Sequence, residues 1–133
     1  MTLVLDASAV IPVIRSKYGF KFFGKRELIA PACMWTEVRS VIRGATWRGE
    51  ISEDIELELM TRLERGPIKL RATKEQRERA TEIARYLGWA KIYDTEYLAL
   101  AKIKNATVVT NDQRLVRGSR NIAPTITLAE LNR

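Results

Sequence analysis

A chain of 133 residues without a single histidine excludes His acid–base chemistry, Ser-His-Asp and Cys-His nucleophile systems, and every His metal ligand. Its lone cysteine, Cys33, excludes an internal disulfide and a cysteine-built zinc site, and reads as a small apolar filler. With 23 basic and 16 acidic residues the formal charge is +7, which favours polyanionic partners and makes nucleic acid the first candidate.

The length suits one domain spanning residues 1–133, and 46% apolar residues are enough to fill an ordinary core. Residues 2–5 (TLVL) read as a buried strand that ends on Asp6 and small residues. Residues 7–14 read as a first helix with Pro12 inside it, and residues 28–30 as a second strand closed by Pro31. From Cys33 onwards Met34, Val38, Val41, Ile42 and Ala45 recur at helical spacing and define one apolar face.

Ser52 is an expected N-cap, with Glu53 and Asp54 in the first turn where the helix dipole favours anions. Ile55, Leu59 and Leu63 form that helix's expected buried stripe, and Gly66-Pro67 stops it. Residues 68–70 follow as a third strand. Thr73 and Gln76 match a capping box before Ala80, Ile83, Ala84 and Leu87, with Gly88 as the stop. Asp94 opens a helix through Tyr97, Leu98 and Ala101 that ends at Asn105. Residues 106–110 (ATVVT) run as a strand into Asn111-Asp112, and residues 125–127 form a last short strand. Strands alternating with helices point to an α/β fold with a parallel sheet covered on both faces. No apolar run is long enough for a membrane span, and the first is too short for a signal peptide, so a cytoplasmic location is expected.

Only four residues of the chain are aspartates, and Asp6, Asp94 and Asp112 sit at element junctions. Asp6 follows the first strand and Asp112 a later one, which places both where open α/β sheets bind ligands. Each also reads as a helix N-cap, and neither alone separates the two roles. Asp94 shares the core-facing stripe of Tyr97, Leu98 and Ala101, and an inward carboxylate needs a partner or a metal. Glu37 flanks the apolar face of its helix, about 100° around from Val38, and by itself reads as solvated or partly buried.

Taken jointly, Asp6, Glu37, Asp94 and Asp112 form a candidate pocket of oxygen ligands, which suits Mg²⁺ or Mn²⁺ rather than zinc. Two carboxylates about 4 Å apart repel by ~4 kcal/mol at an effective dielectric constant of about 20, so such a cluster calls for a cation. Arg114, Arg117 and Arg120 follow closely and are candidates for guiding a phosphate backbone. Between Arg15 and Arg26 basic residues interleave with Tyr18, Phe20, Phe22 and Phe23. Such a segment can stack bases, but the favoured reading packs the Phe rings into the core and leaves the cations wet.

LVLDAS at residues 3–8, Glu37-Val38 on a helix after Pro31, YDTEYLALA at 93–101 and VTNDQRL at 109–115 resemble the motifs of PIN-domain nucleases. The VapC-like toxin ribonucleases are the most similar subgroup, and the four motifs occur in the family's order. The resemblance implies metal-binding, catalytic acids at Asp6, Glu37, Asp94 and Asp112, with supporting hydroxyls at Ser8 and Thr110. It further implies a three-layer α/β/α fold around a parallel sheet of about four to five strands. Mg²⁺- or Mn²⁺-dependent RNA hydrolysis, a homodimer and a cognate antitoxin partner follow as expectations. A haloacid-dehalogenase-like phosphatase also places Asp after its first strand, but wants a second Asp where this chain has Ser8. A catalytically silent RNA- or partner-binding module, and a nuclease acting on DNA, are the remaining alternatives.

Overall fold

The computed structural model describes residues 1–132. Its sheet has five strands: β1 (Thr2–Leu5), β2 (Glu27–Pro31), β3 (Lys69–Arg71), β4 (Thr107–Val109) and β5 (Thr125–Ile126). The order is β3-β2-β1-β4-β5 and every pairing is parallel. Val4 of β1 registers with Ile29 on one side and Val108 on the other. β1 is the central strand and is covered on both faces, which explains why its sequence is apolar without alternation. Leu3, Val4 and Leu5 are fully buried, and each such side chain contributes roughly 1.5–3 kcal/mol by leaving water.

Parallel strands need crossovers, and helices supply them. These are α1 (Ala7–Arg15), α2 (Cys33–Trp47), α3 (Glu53–Arg65), α4 (Lys74–Leu87), α5 (Tyr93–Lys104), α6 (Gln113–Gly118) and α7 (Leu128–Leu131). α5 lies on β1, β2 and β4 and carries α4 with it, while α1, α2 and α3 pack on one another. The sheet and its helices form a three-layer α/β/α sandwich.

The end signals act as their chemistry dictates. Ser52 accepts from the Ile55 amide and Thr73 from the Gln76 amide. Gly88 and Asn105 close their helices in the left-handed conformation. Three details differ from the sequence reading. Val41 and Ile55 are exposed, because the buried stripes narrow to Met34, Val38 and Ile42 on α2 and to Leu59 and Leu63 on α3. Asp94 does not cap α5, which begins one residue earlier, and sits in its first turn. Gln76 does not complete the capping box: its side chain turns inward to Glu96 and is buried. The aromatic segment behaves as favoured, with Phe23 fully buried, Phe22 edge-on against it and Tyr18 exposed.

The strand order reverses between β1 and β4. Chain order runs outward from β1 through β2 to β3 on one side, and through β4 to β5 on the other. The crevice beyond the carboxyl ends of β1 and β4 is therefore the expected ligand position.

Candidate active site

Asp6 occupies that crevice. It leaves β1 directly, donates its backbone amide to the Val109 carbonyl of β4, and caps α1. Its carboxylate accepts from the Ala9 amide at 3.0 Å, the Ser8 hydroxyl at 2.7 Å and the Thr110 hydroxyl. Asp6 is therefore the cap that one reading of the sequence expects, and its side chain is buried, only 5% exposed. Among the described residues no basic side chain pairs with it.

Ser8 and Thr110, expected as supporting hydroxyls, tie the ends of β1 and β4 together. Their oxygens lie 3.3 Å apart, the Asn111 amide donates to Ser8 Oγ at 2.9 Å, and the Asp112 amide donates to Thr110 Oγ1 at 3.0 Å. Pro12 has a part in this. Lacking an N–H, it cannot bond the Ser8 carbonyl in α1, and that carbonyl instead accepts from Asn111 Nδ2 at 3.4 Å. A residue that weakens a helix locally here links it to the turn after β4.

Asp112 follows the same turn and caps α6, accepting from the Arg114 amide at 2.9 Å. Glu37 projects from the second turn of α2 and accepts from the Tyr97 hydroxyl at 2.9 Å. Tyr97 lies one turn into α5 and is fully buried, so its hydroxyl needs a partner and Glu37 supplies it. Asp94, in the first turn of α5, is paired with Arg114 at 2.9 Å. The guanidinium is mostly exposed, and such a pair is worth about 0.2–1 kcal/mol. Arg117 and Arg120 stand exposed farther along.

The acids feel one another. Burial holds the Asp6 carboxyl above its ordinary range and the charge of Asp112 adds to it, while hydrogen bonds from Thr110, Ser8 and Ala9 work against it. Burial raises Glu37 likewise, with Asp94 and Asp6 adding to it and the Tyr97 hydroxyl opposing. Beside it, burial and the charge of Glu37 push the Cys33 thiol up to about 12, so Cys33 is neutral and no nucleophile. Burial and the same glutamate push Tyr97 far upward, which keeps its phenol a donor.

These residues fit a divalent cation by donor chemistry and charge. Asp6 is a buried carboxylate without a counter-cation, and the surrounding donors are oxygens. The four acids do not close into a cage: among the described residues no three of them gather tightly enough to hold an ion. Magnesium does not require that, because it keeps several waters and takes one or two carboxylates.

Sequence reasoning missed Tyr97 as more than core, Asn111 as a tie, and Arg114 as the partner of Asp94. The signal for Tyr97 was its position, one turn from Asp94 on a core-facing stripe where a bare hydroxyl is costly.

The fold has clear relatives among solved structures. PAE2754 from Pyrobaculum aerophilum superposes with a TM-score of 0.79 at 18% identity, covering 99% of this chain and 96% of that one. VapBC2 from Rickettsia felis, bound to a DNA fragment from their promoter, gives 0.67 at 12% identity, over 96% and 98% of the two chains. A toxin–antitoxin complex from Klebsiella pneumoniae gives 0.65 at 16% identity, over 95% and 97%. At these identities the likeness is one of fold. Comparison with curated proteins gives no match. No helix among the described residues is long and apolar enough to cross a membrane. The PIN domain model matches residues 3–121, a range that includes Asp6, Ser8, Glu37, Asp94, Thr110 and Asp112, and the chain therefore belongs to the PIN domain family.

Proposed function

We propose that this chain is a metal-dependent endoribonuclease, the toxin of a toxin–antitoxin pair, acting as one nuclease domain over residues 1–133. The observation that carries the reading is Asp6: a buried, uncompensated carboxylate at the switch point of the sheet, fixed by Ser8, Thr110 and Ala9. PIN domains are generally nucleases, which supports hydrolysis of phosphodiesters. Asp6, Glu37, Asp94 and Asp112 would hold Mg²⁺ or Mn²⁺. Such an ion, when bound, offsets the charge of the acids and supplies Lewis acidity toward a phosphodiester.

The chain's own residues do the positioning. Ser8 and Thr110 fix the Asp6 oxygens, and Tyr97 orients Glu37. Arg117 and Arg120, with Arg114 when it leaves Asp94, would take the phosphate backbone. An antitoxin is the expected partner, in keeping with the toxin–antitoxin complexes that share the fold. A homodimer in the cytoplasm completes the proposal. The test is incubation with total RNA in Mg²⁺, in Mn²⁺ and in EDTA. Cleavage is expected with either metal and none with EDTA; cleavage that persists in EDTA sinks the metal mechanism.

A second reading, a silent RNA- or partner-binding module, draws on the absence of three gathered acids among the described residues and on the Arg114–Asp94 pair. Folded protein that binds RNA but cuts nothing with either metal would favour it.

With the four site acids set aside, the 16 acidic residues fall to 12 against 23 basic ones. A negative crevice in a positive surround suits a phosphate chain led past it. Binding of a short RNA to an Asp6→Asn protein should weaken with salt at a slope of about −2 to −3.5 on logarithmic axes. That slope corresponds to roughly three to five phosphates at about −0.7 each. Arg117→Ala or Arg120→Ala should flatten it by up to one contact. A flat dependence would remove the basic surface from the RNA track.

A further inference from the structure

Two cavities share Cys33 and Tyr93 as walls, one of about 340 Å³ and one of about 180 Å³. The larger also holds Glu37, one of the four acids, with the hydroxyl residues Thr36 and Ser40. Its volume lies at the lower end of the range for small-ligand sites, roughly 300–1,000 Å³. The smaller is lined by Gln76.

Two features of these cavities have no role in the fold. Tyr93 is 55% exposed at the first position of α5, immediately before Asp94, whereas Tyr97 one turn on is fully buried. Gln76 is 2% exposed, yet its Oε1 has no hydrogen-bond partner among the described residues. Its Nε2 donates to Glu96 at 3.4 Å, which fixes the amide with the oxygen as the free end. An orphaned buried acceptor costs about 1–3 kcal/mol, so a group that supplies a donor there is favoured.

We infer that the groove around Tyr93 is a nucleobase subsite, in which the exposed ring stacks on a base and Gln76 Oε1 accepts from its N–H edge. The inference rests on the nuclease reading for its substrate class. A base is favoured over an apolar side chain because the exposed Tyr93 ring is a wall of both cavities, with the unmet acceptor of Gln76 at the smaller and the hydroxyl residues Thr36 and Ser40 at the larger. Single-stranded RNA presents both an unstacked π face and Watson–Crick donors. The subsite abuts Glu37, so a base held there would sit beside the phosphodiester led to the acids.

The test is binding of dye-labelled single-stranded RNA, and of a strand of equal length with abasic sites, by fluorescence anisotropy in EDTA. Tyr93→Ala should weaken binding of the base-bearing strand roughly 5- to 150-fold, the value of one stacked base. Tyr93→Phe should stay within about twofold. Gln76→Met, near in size but without the acceptor, should weaken it roughly 2- to 10-fold. On the abasic strand all four proteins should bind alike. An equal loss on both strands, an unchanged Tyr93→Ala protein, or no RNA binding at all overturns the subsite. Tyr93 is exposed, so its variants keep the fold, which circular dichroism checks. Cleavage of total RNA is read separately: a Tyr93→Ala protein that binds as wild type and still cuts overturns the subsite and leaves the nuclease reading standing. Base-dependent binding without cleavage does the reverse.

Discussion

Asp6→Asn is expected to remove RNA cleavage by more than about a hundredfold while the protein stays folded, since even a residue that merely supports a ligand costs 10–100-fold. Asn keeps the one oxygen that the Ala9 amide and the Ser8 hydroxyl both donate to, and only the Thr110 hydroxyl, which faces the other position, has to turn and accept from the new amide. Burial already disfavours the charge at Asp6, so the metal-free variant should be at least as stable as wild type at neutral pH. Asp6→Ala behaves differently. It strips the cap from α1 and leaves buried donors unmet, at a cost of about 1–3 kcal/mol. Glu37→Gln, Asp94→Asn and Asp112→Asn should also lose most turnover. The smallest loss is expected at Asp112, whose capping of α6 an Asn reproduces. Single-turnover cleavage and thermal melts of the same preparations check this. A variant that keeps wild-type turnover removes its residue from the site, leaving Asp6 or Asp112 as a cap and Glu37 or Asp94 as the partner of Tyr97 or Arg114.

Metal should stabilise the protein, and the gain should depend on pH in a definite direction. Burial raises the Asp6 and Glu37 carboxyls in the fold, so the folded state binds their protons more tightly than the unfolded chain does. Their contribution to stability is fully present below the ordinary carboxylate range and is lost as pH rises through the raised values. The metal-free protein should therefore lose stability from these two groups as the solution goes from mildly acidic to neutral. A divalent cation takes the charged carboxylates, so its effect grows over the same window. At a hundredfold excess over its Kd, Mn²⁺ should add about 2.7 kcal/mol at neutral pH, a rise in Tm on the order of 10 °C. At acidic pH protons compete and the rise should shrink. A Tm that ignores Mn²⁺ at both pH values contradicts the site.

Much of this was legible because local and tertiary rules agree along the chain. TLVL is apolar without alternation because β1 is the central strand of a parallel sheet. Asp6 and Asp112 stood out as acids at strand ends, and the same geometry that caps a helix there opens on the crevice. What stayed hidden depends on contacts between distant segments. Nothing at residues 94 and 114 announces an ion pair between two helix starts. The apolar periodicity of Val41 and Ile55 predicted burial, but the neighbouring helices cover a narrower stripe than the pattern offers. Thr73 and Gln76 satisfied a capping-box spacing, and Gln76 was drawn inward by Glu96, a partner twenty residues away. Asn111 reads as a turn residue, and its side-chain bond to the Ser8 carbonyl uses an acceptor that Pro12 leaves free.

If carboxylates at the switch point between β1 and β4 form a cation site, calorimetric titration of Mn²⁺ into the metal-free protein will register it without a substrate. Wild type should show saturable binding that weakens as pH falls, and Asp6→Asn should lose it. Absence of binding in the wild type, or an Asp6→Asn isotherm that matches it, would contradict the account.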